Sequence, residues 1–287
     1  MIKGKYWGII YIIFSAFCFS LMNTCVQLAG DVPFIQKSFF RNFIAVICTV
    51  FIMIKQKISW KPQHKENIPF LIIRSVCGTI GIFGNFYALG HLLLADASML
   101  NKMSPFFAVV FSCIFLKEKM TLFQVLAVIV SFIGSLFIIK PTFTNVALFS
   151  ALAGLVGGMG AGAAYTTVRV LGKRGEKGAY IVFFFSAFSC LVVLPYLIFN
   201  FYPMTFFQLF VLIGAGIAAA GGQFSITAAY CHAPAREISI FDYTQIIFAS
   251  VLGFVLFGQI PDVWSVLGYV IICGTAVAML VYNSKSE

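Results

Sequence analysis

The chain of 287 residues is 61% hydrophobic and only 10% charged, with a mean hydropathy of +1.00. A water-soluble domain carries about a quarter charged residues, so this composition excludes one. The apolar runs are continuous rather than alternating, which excludes a transmembrane β-barrel. The formal net charge of +10 does not signal a nucleic-acid partner, because the lysines and arginines sit mostly in short segments between apolar runs, as membrane topology requires.

Apolar runs of 20 or more residues match a hydrocarbon core of about 30 Å. Turn residues and charges divide the chain into ten predicted spans: 7–29, 33–54, 69–92, 95–116, 121–140, 146–171, 178–200, 206–231, 236–257 and 262–282. The first, "YWGIIYIIFSAFCFSLMNTCVQL", is too long for a signal-peptide core and lacks a small-residue cleavage site, so it is expected to remain as a span. Connections are short except "KQKISWKPQHKEN" (55–67), a polar loop with four lysines.

With the N-terminus placed inside, the basic residues of the inner segments are Lys3, Lys5, Lys55, Lys57, Lys61, Lys65, Lys117, Lys119, Lys173, Arg174, Lys177, Arg236 and Lys285. The outer segments hold only Lys37 and Lys140. This bias places both termini in the cytoplasm of a multi-pass protein of the inner or plasma membrane. Of eight cysteines, Cys18, Cys25, Cys48, Cys77, Cys113, Cys190 and Cys273 lie within apolar runs and Cys231 ends one. No C-x-x-C pair occurs, and small buried hydrophobes are their expected role.

The two halves resemble each other. A shift of 141 places "ALGHLLLADAS" (88–98) on "AYCHAPAREIS" (229–239), matching Ala88 to Ala229, His91 to His232, Asp96 to Glu237 and Ser98 to Ser239. "FFAVVF" (106–111) then meets "IFASVL" (247–252), and a shift of 142 puts "NTCVQLAG" (23–30) on "YTTVRVLG" (165–172). Five spans per half is an odd number, so the halves 1–143 and 144–287 must insert in opposite senses. The predicted fold is all-α and integral to the membrane, with ten transmembrane helices as two inverted five-helix repeats. Such repeats are a hallmark of alternating-access transporters.

"SFFRNFIA" (38–45), "FYALGHLLLADASMLNKMSPFFAVVFSCIFLKEK" (86–119) and "FDYTQIIFASVLGFVLFGQIPDVWSVLG" (241–268) resemble the drug/metabolite transporter superfamily, specifically its ten-helix EamA-type members. The resemblance spans both halves. It implies the transporter fold but not the substrate, since the family carries amino acids, nucleotide derivatives, cofactors, amines and drugs. The acidic residue that the family places after its fourth helix is matched by Glu118, but its second-half counterpart is Gln259. Likewise Pro105 matches a family proline where the aligned residue is Ile246.

Lys102 lies about seven residues from the outer end of its span, roughly 10 Å deep at 1.5 Å per residue. Asp242 is roughly 9 Å from the inner surface by the same count. The repeat sets Asn101 against Asp242 and Lys102 against Tyr243, flanking the midplane where such transporters hold substrate. Three readings stand: a central water-filled cavity, a structural ion pair between helices, or snorkelling by Lys102 alone. Pro105 leaves the carbonyl near Asn101 without its helical partner and permits a kink. Arg41 suits bidentate carboxylate binding or a helix-positioning ion pair.

Arg74 and Arg169 lie near inner helix ends, where snorkelling is the expectation and a functional role the alternative. His91 and His232 stand at helix ends as interfacial caps or, alternatively, proton relays. Asn23, Asn85, Tyr165 and Gln223 are interhelical hydrogen-bonding groups that also furnish donors and acceptors for a cavity. Glycines at 154, 158 and 162, with "GTIGIFG" (78–84) and "GAGIAAAGG" (214–222), form small faces for close helix approach.

No Walker A loop, HExxH, GxSxG or nucleophile–base constellation is present, so an enzyme is not expected and no cofactor or metal is implied. The expected function is secondary active transport of a small organic metabolite by alternating access, an amino acid or related zwitterion suiting Lys102 and Arg41 against Asp242. The alternative is a multidrug or cationic-compound exporter. The expected partners are the small-molecule substrate and the bilayer, with protons as the candidate coupling ion, in a monomer or homodimer.

Overall fold

The computed structural model describes residues 2–104, 106–108, 110–111, 121–139, 146–232 and 239–285. Pro105, Cys113, Lys117, Glu118, Lys119, Lys140, Arg236 and Glu237 lie outside them, as do the side chains of Lys3, Lys5, Cys231, His232 and Lys285. Among the described residues the chain is helical with no strand. Its α-helices are α1 (Ile2–Leu28), α2 (Phe34–Lys55), α3 (Ile68–Leu89), α4 (Leu94–Asn101), α5 (Leu122–Ile139), α6 (Val146–Lys173), α7 (Gly178–Phe199), α8 (Phe206–His232), α9 (Thr244–Phe257) and α10 (Val263–Lys285). A 3₁₀ turn, Ser239–Tyr243, leads into α9. Among the described residues, six helices are long and apolar enough to cross a membrane, and the segments Val125–Ile138, Phe241–Phe257 and Val263–Met279 are apolar but shorter.

Local chemistry sets the helix ends. Gly30, at φ 57°, turns the chain out of α1, and Pro33 precedes α2 with its fixed φ. Gly258 at φ 62° closes α9 in the left-handed conformation. Gln259 immediately beyond it accepts a hydrogen bond from the Leu94 amide at the first residue of α4 (2.8 Å). The residue that replaces an acid in the second half thus caps the first half's fourth helix. Gln259→Ala strips this partner from a helix-terminal N–H, and a loss of about 0.5–2 kcal/mol is expected in a denaturant titration of the detergent-solubilised protein.

The bundle buries many polar groups beside its apolar clusters and exposes large apolar side chains. On α2 the buried face is Ser38, Arg41, Asn42, Ala45, Thr49 and Met53, at helical spacing. Phe43, Ile47, Phe51 and Ile54 are exposed. In water this arrangement would be inverted; in a bilayer the lipid is the apolar solvent and polar groups must find partners within the bundle. Asn42 does so, donating across to Ser189 Oγ on α7 at 2.9 Å.

Helix pairing is extensive between α1 and α8, α3 and α6, α2 and α7, α4 and α9, and α5 and α10. The glycine faces account for the closest approaches. A Cβ added at Gly84 would strike the Ala153 carbonyl oxygen and lie 2.8 Å from Gly157 Cα, and one at Gly160 would lie 2.7 Å from the Cys77 carbonyl. The α3 and α6 backbones are therefore in direct contact. On the adjacent α6 face, Gly158 and Gly162 sit against the Leu100 and Ser104 carbonyls, where a Cβ would come within 2.6 and 2.7 Å. The six cysteines whose side chains are described are all free thiols.

Candidate functional site

The fourth helix breaks in its middle. The Lys102 amide still donates to Ser98 O at 3.1 Å, but Met103 turns to Leu100 O at 3.2 Å, and helical conformation resumes at Ser104. The counterpart position in the second half changes character too, from the 3₁₀ turn to α9 at Tyr243. These two breaks meet. Tyr243 Oη donates to the Lys102 carbonyl at 3.1 Å, and Lys102 Nζ donates to Asp242 Oδ2 at 2.5 Å. Lys102 and Asp242 are 5% and 8% exposed, so the pair is held away from solvent. A charge at this depth is expensive unless paired, and pairing is the solution the fold adopts here. Asp242 Oδ1 remains a buried acceptor without a hydrogen-bond partner.

A cavity opens beside the pair. Seven of the nine predicted site residues line it: Asn23, Arg41, Asn85, Asn101, Lys102, Tyr165 and Gln223. Asp242 and Tyr243 stand behind Lys102, joined to it rather than to the cavity wall. Asn85 Nδ2 donates to Asn23 Oδ1 at 3.3 Å, and Asn23 Nδ2 donates to Ser98 Oγ at 3.2 Å, tying α3 to α1 and α1 to α4. The rings of Phe19, Phe86 and Phe185 complete much of the wall.

Two more residues contribute: Arg74, for which a functional role was the alternative to snorkelling, and Phe185, which was not anticipated. Arg74 is 4% exposed and lines the cavity instead of reaching for the membrane surface. Its guanidinium lies over the Phe185 ring at 3.9 Å from the centroid. Gly78, one turn along α3, leaves room for both, since a Cβ there would collide with Arg74 Nη1 and lie 2.8 Å from Phe185 Cε2. Phe185 itself carried no signal among 34 phenylalanines. The Arg74–x₃–Gly78 spacing was the visible hint, because a glycine one turn along leaves a gap that a long side chain can fold into. Arg169, in contrast, is exposed, and His91 stacks on Tyr87 at a helix end with Nδ1 2.9 Å from the Tyr87 carbonyl oxygen.

The match to known proteins runs the length of the chain. Residues 6–140 match the model of the EamA-like transporter family. Over 275 residues the chain is 30% identical to the pseudopaline exporter CntI of Pseudomonas aeruginosa, covering 95% of each. The chain belongs to the EamA-like transporter family. Human solute carrier family 35 member G1 is 26% identical over 279 residues, covering 91% of this chain and 75% of that protein. A crystal structure superposes with a TM-score of 0.68 at 14% identity, covering 98% of both chains, which shows a shared fold. This member of the drug/metabolite transporter superfamily is thus a multi-pass membrane protein that transports small molecules, and its polar core is to be understood in those terms.

Proposed function

We propose that this EamA-like protein is a secondary active transporter that carries an amino acid or related zwitterionic metabolite by alternating access. One observation carries the reading: a cavity at which the buried side chains of Arg41, Arg74 and Lys102 converge with amide and hydroxyl groups, beside a carboxylate with one free oxygen. The cations receive the substrate carboxylate, and Asp242 receives its ammonium as Lys102 turns to the carboxylate. Asn23, Asn85, Asn101, Tyr165, Gln223 and Tyr243 orient it. The halves 1–143 and 144–287 act as inverted five-helix repeats of a ten-span protein. The pairings support this, since the repeat offset maps the α1–α8 pair onto α6–α3 and the α4–α9 pair onto itself.

Both termini lie in the cytoplasm of a protein of the inner or plasma membrane, as the charge bias dictates. The Pseudomonas relative is named an exporter, and outward transport is the direction assigned here. Protons are the coupling ion in this scheme, and the unit is a monomer or homodimer.

Radiolabelled exchange in proteoliposomes tests the reading, with amino acids, nucleotide-linked metabolites, vitamins and cationic drugs on wild type and Lys102→Ala. Selective zwitterion exchange that falls at least tenfold in the variant is expected. Zwitterion exchange untouched by neutralising both Lys102 and Asp242 would remove them from the substrate path. The second reading, a cationic-compound exporter, is favoured by the Phe19, Phe86 and Phe185 rings, and dye efflux distinguishes it. The three cavity cations weigh against it by repelling a cationic drug.

A further inference from the structure

Arg41 and Arg74 enter the bundle from different helices and converge on one aromatic ring. Their guanidinium carbons lie 5.7 and 3.9 Å from the Phe185 centroid. Both side chains line the cavity, at 3% and 4% exposure, and the Nε atom of each is buried without a hydrogen-bond partner. Arg41 has one polar contact, from Nη1 to Asn42 Oδ1 at 2.6 Å, and Asn42 is itself fixed to Ser189. Among the described residues neither arginine pairs with a carboxylate, whereas Lys102 is matched by Asp242. The cavity therefore holds two positive charges beyond those its own acids neutralise. Cation–π contact with one ring does not offset the burial of two guanidinium groups. The repeat makes the excess one-sided: at the offset of 141, Arg41, Arg74 and Ile44 correspond to Val182, Ala215 and Phe185. The second half offers no cation at the two equivalent positions.

We infer that Arg41 and Arg74 form a second anion subsite, selecting substrates that bear a further acidic group besides the α-carboxylate and ammonium. The inference rests on the zwitterion reading above and narrows it. Guanidinium groups present forked donors to carboxylate or phosphate alike, so the recognised chemistry is an oxyanion. A substrate with two carboxylates and one ammonium lowers the cavity's excess from two positive charges to one, and O-phosphoserine, with about two net negative charges, brings it near balance. A substrate with one carboxylate and one ammonium leaves both arginine charges unmatched.

The test is proteoliposome exchange of L-glutamate, N-carboxymethyl amino acids and O-phosphoserine against L-alanine and L-leucine, with wild type, Arg74→Gln, Arg74→Lys and Arg41→Gln. The wild type is expected to prefer the acidic set. Its ratio of acidic to neutral kcat/KM should fall on the order of ten- to a hundredfold in either glutamine variant, with partial recovery in Arg74→Lys. The carboxylate and phosphate arms identify which oxyanion is taken. Thermal stabilisation of the wild type by the same compounds gives a readout independent of any variant's folding. At equal concentration the acidic compounds should raise the melting midpoint more than the neutral ones do.

Exchange of neutral and acidic amino acids at equal efficiency, with a ratio unmoved in the variants, overturns this subsite while leaving the zwitterion reading intact. Failure of every amino-acid compound to exchange or stabilise overturns both.

Discussion

Asp242→Ala is expected to destabilise the protein by about 3–5 kcal/mol, the largest single effect at the polar core. The substitution leaves the Lys102 ammonium buried with its ion-pair partner removed. Breaking a buried pair by deleting one member costs far more than the pair contributes as a whole, because an uncompensated charge is stranded in low dielectric. Lys102→Met strands the Asp242 carboxylate in the same way. The double variant Lys102→Met, Asp242→Leu removes both charges, and its stability should return close to wild type. A denaturant titration in mild detergent measures all three midpoints. Equal stability of the single variants and the wild type would mean that the bundle does not depend on this pair. The double variant should fold and yet fail in exchange, which separates holding the helices together from handling substrate.

The second large effect is expected at the α3–α6 contact. Gly84→Val and Gly157→Val each push a branched side chain into backbone, since even the first carbon at Gly157 would lie 2.8 Å from the Asn85 amide nitrogen. Backbone cannot swing aside as the end of a side chain can. Overpacking costs about 1–3 kcal/mol for added methylenes in a well-packed core, and these sites should lie at or above the top of that range. Gly172→Ala is the control, because nothing lies within 4 Å of its added carbon. It should be neutral or slightly stabilising, as alanine is the better helix former. If the valine variants melt with the control, the two backbones are not in obligatory contact.

Much of this architecture was legible in residue order. Spans predicted at 33–54 and 178–200 are helices Phe34–Lys55 and Gly178–Phe199, because glycine, proline and charge punctuate apolar runs that the bilayer makes obligatory. The juxtaposition of Lys102 with Asp242 and Tyr243 was foreshadowed by the 141-residue offset, which pairs Lys102 with Tyr243 and Asn101 with Asp242. The glycines at 154, 158 and 162 announced close approach. The Leu100 and Ser104 carbonyls that Gly158 and Gly162 face, on either side of the α4 break, were not announced, since a stripe of small residues does not say what it faces.

Arg74 was misjudged for a physical reason. Counting residues from a helix end gives depth but not direction, and a long side chain at that depth reaches water or the interior equally well. The direction is decided by Phe185 and the gap at Gly78, which come from a different helix and the next turn. Glutamine at 259 looked like a lost acid; its use as a cap for α4 depends on a contact 165 residues away, which no local pattern encodes.

The unmatched guanidinium charges of Arg41 and Arg74 make the empty carrier an electrical object. A transmembrane voltage acts on such charges with about 2.3 kcal/mol for each elementary charge moved across 100 mV. In a carrier that alternates, an inside-negative potential favours the arrangement in which the two arginines sit nearer the inner face, and it opposes their outward excursion when the cavity is vacant. A bound acidic substrate lowers that charge and weakens the hold of the field on the loaded form. The voltage across the membrane then bears on the return of the unloaded protein more than on delivery of its cargo.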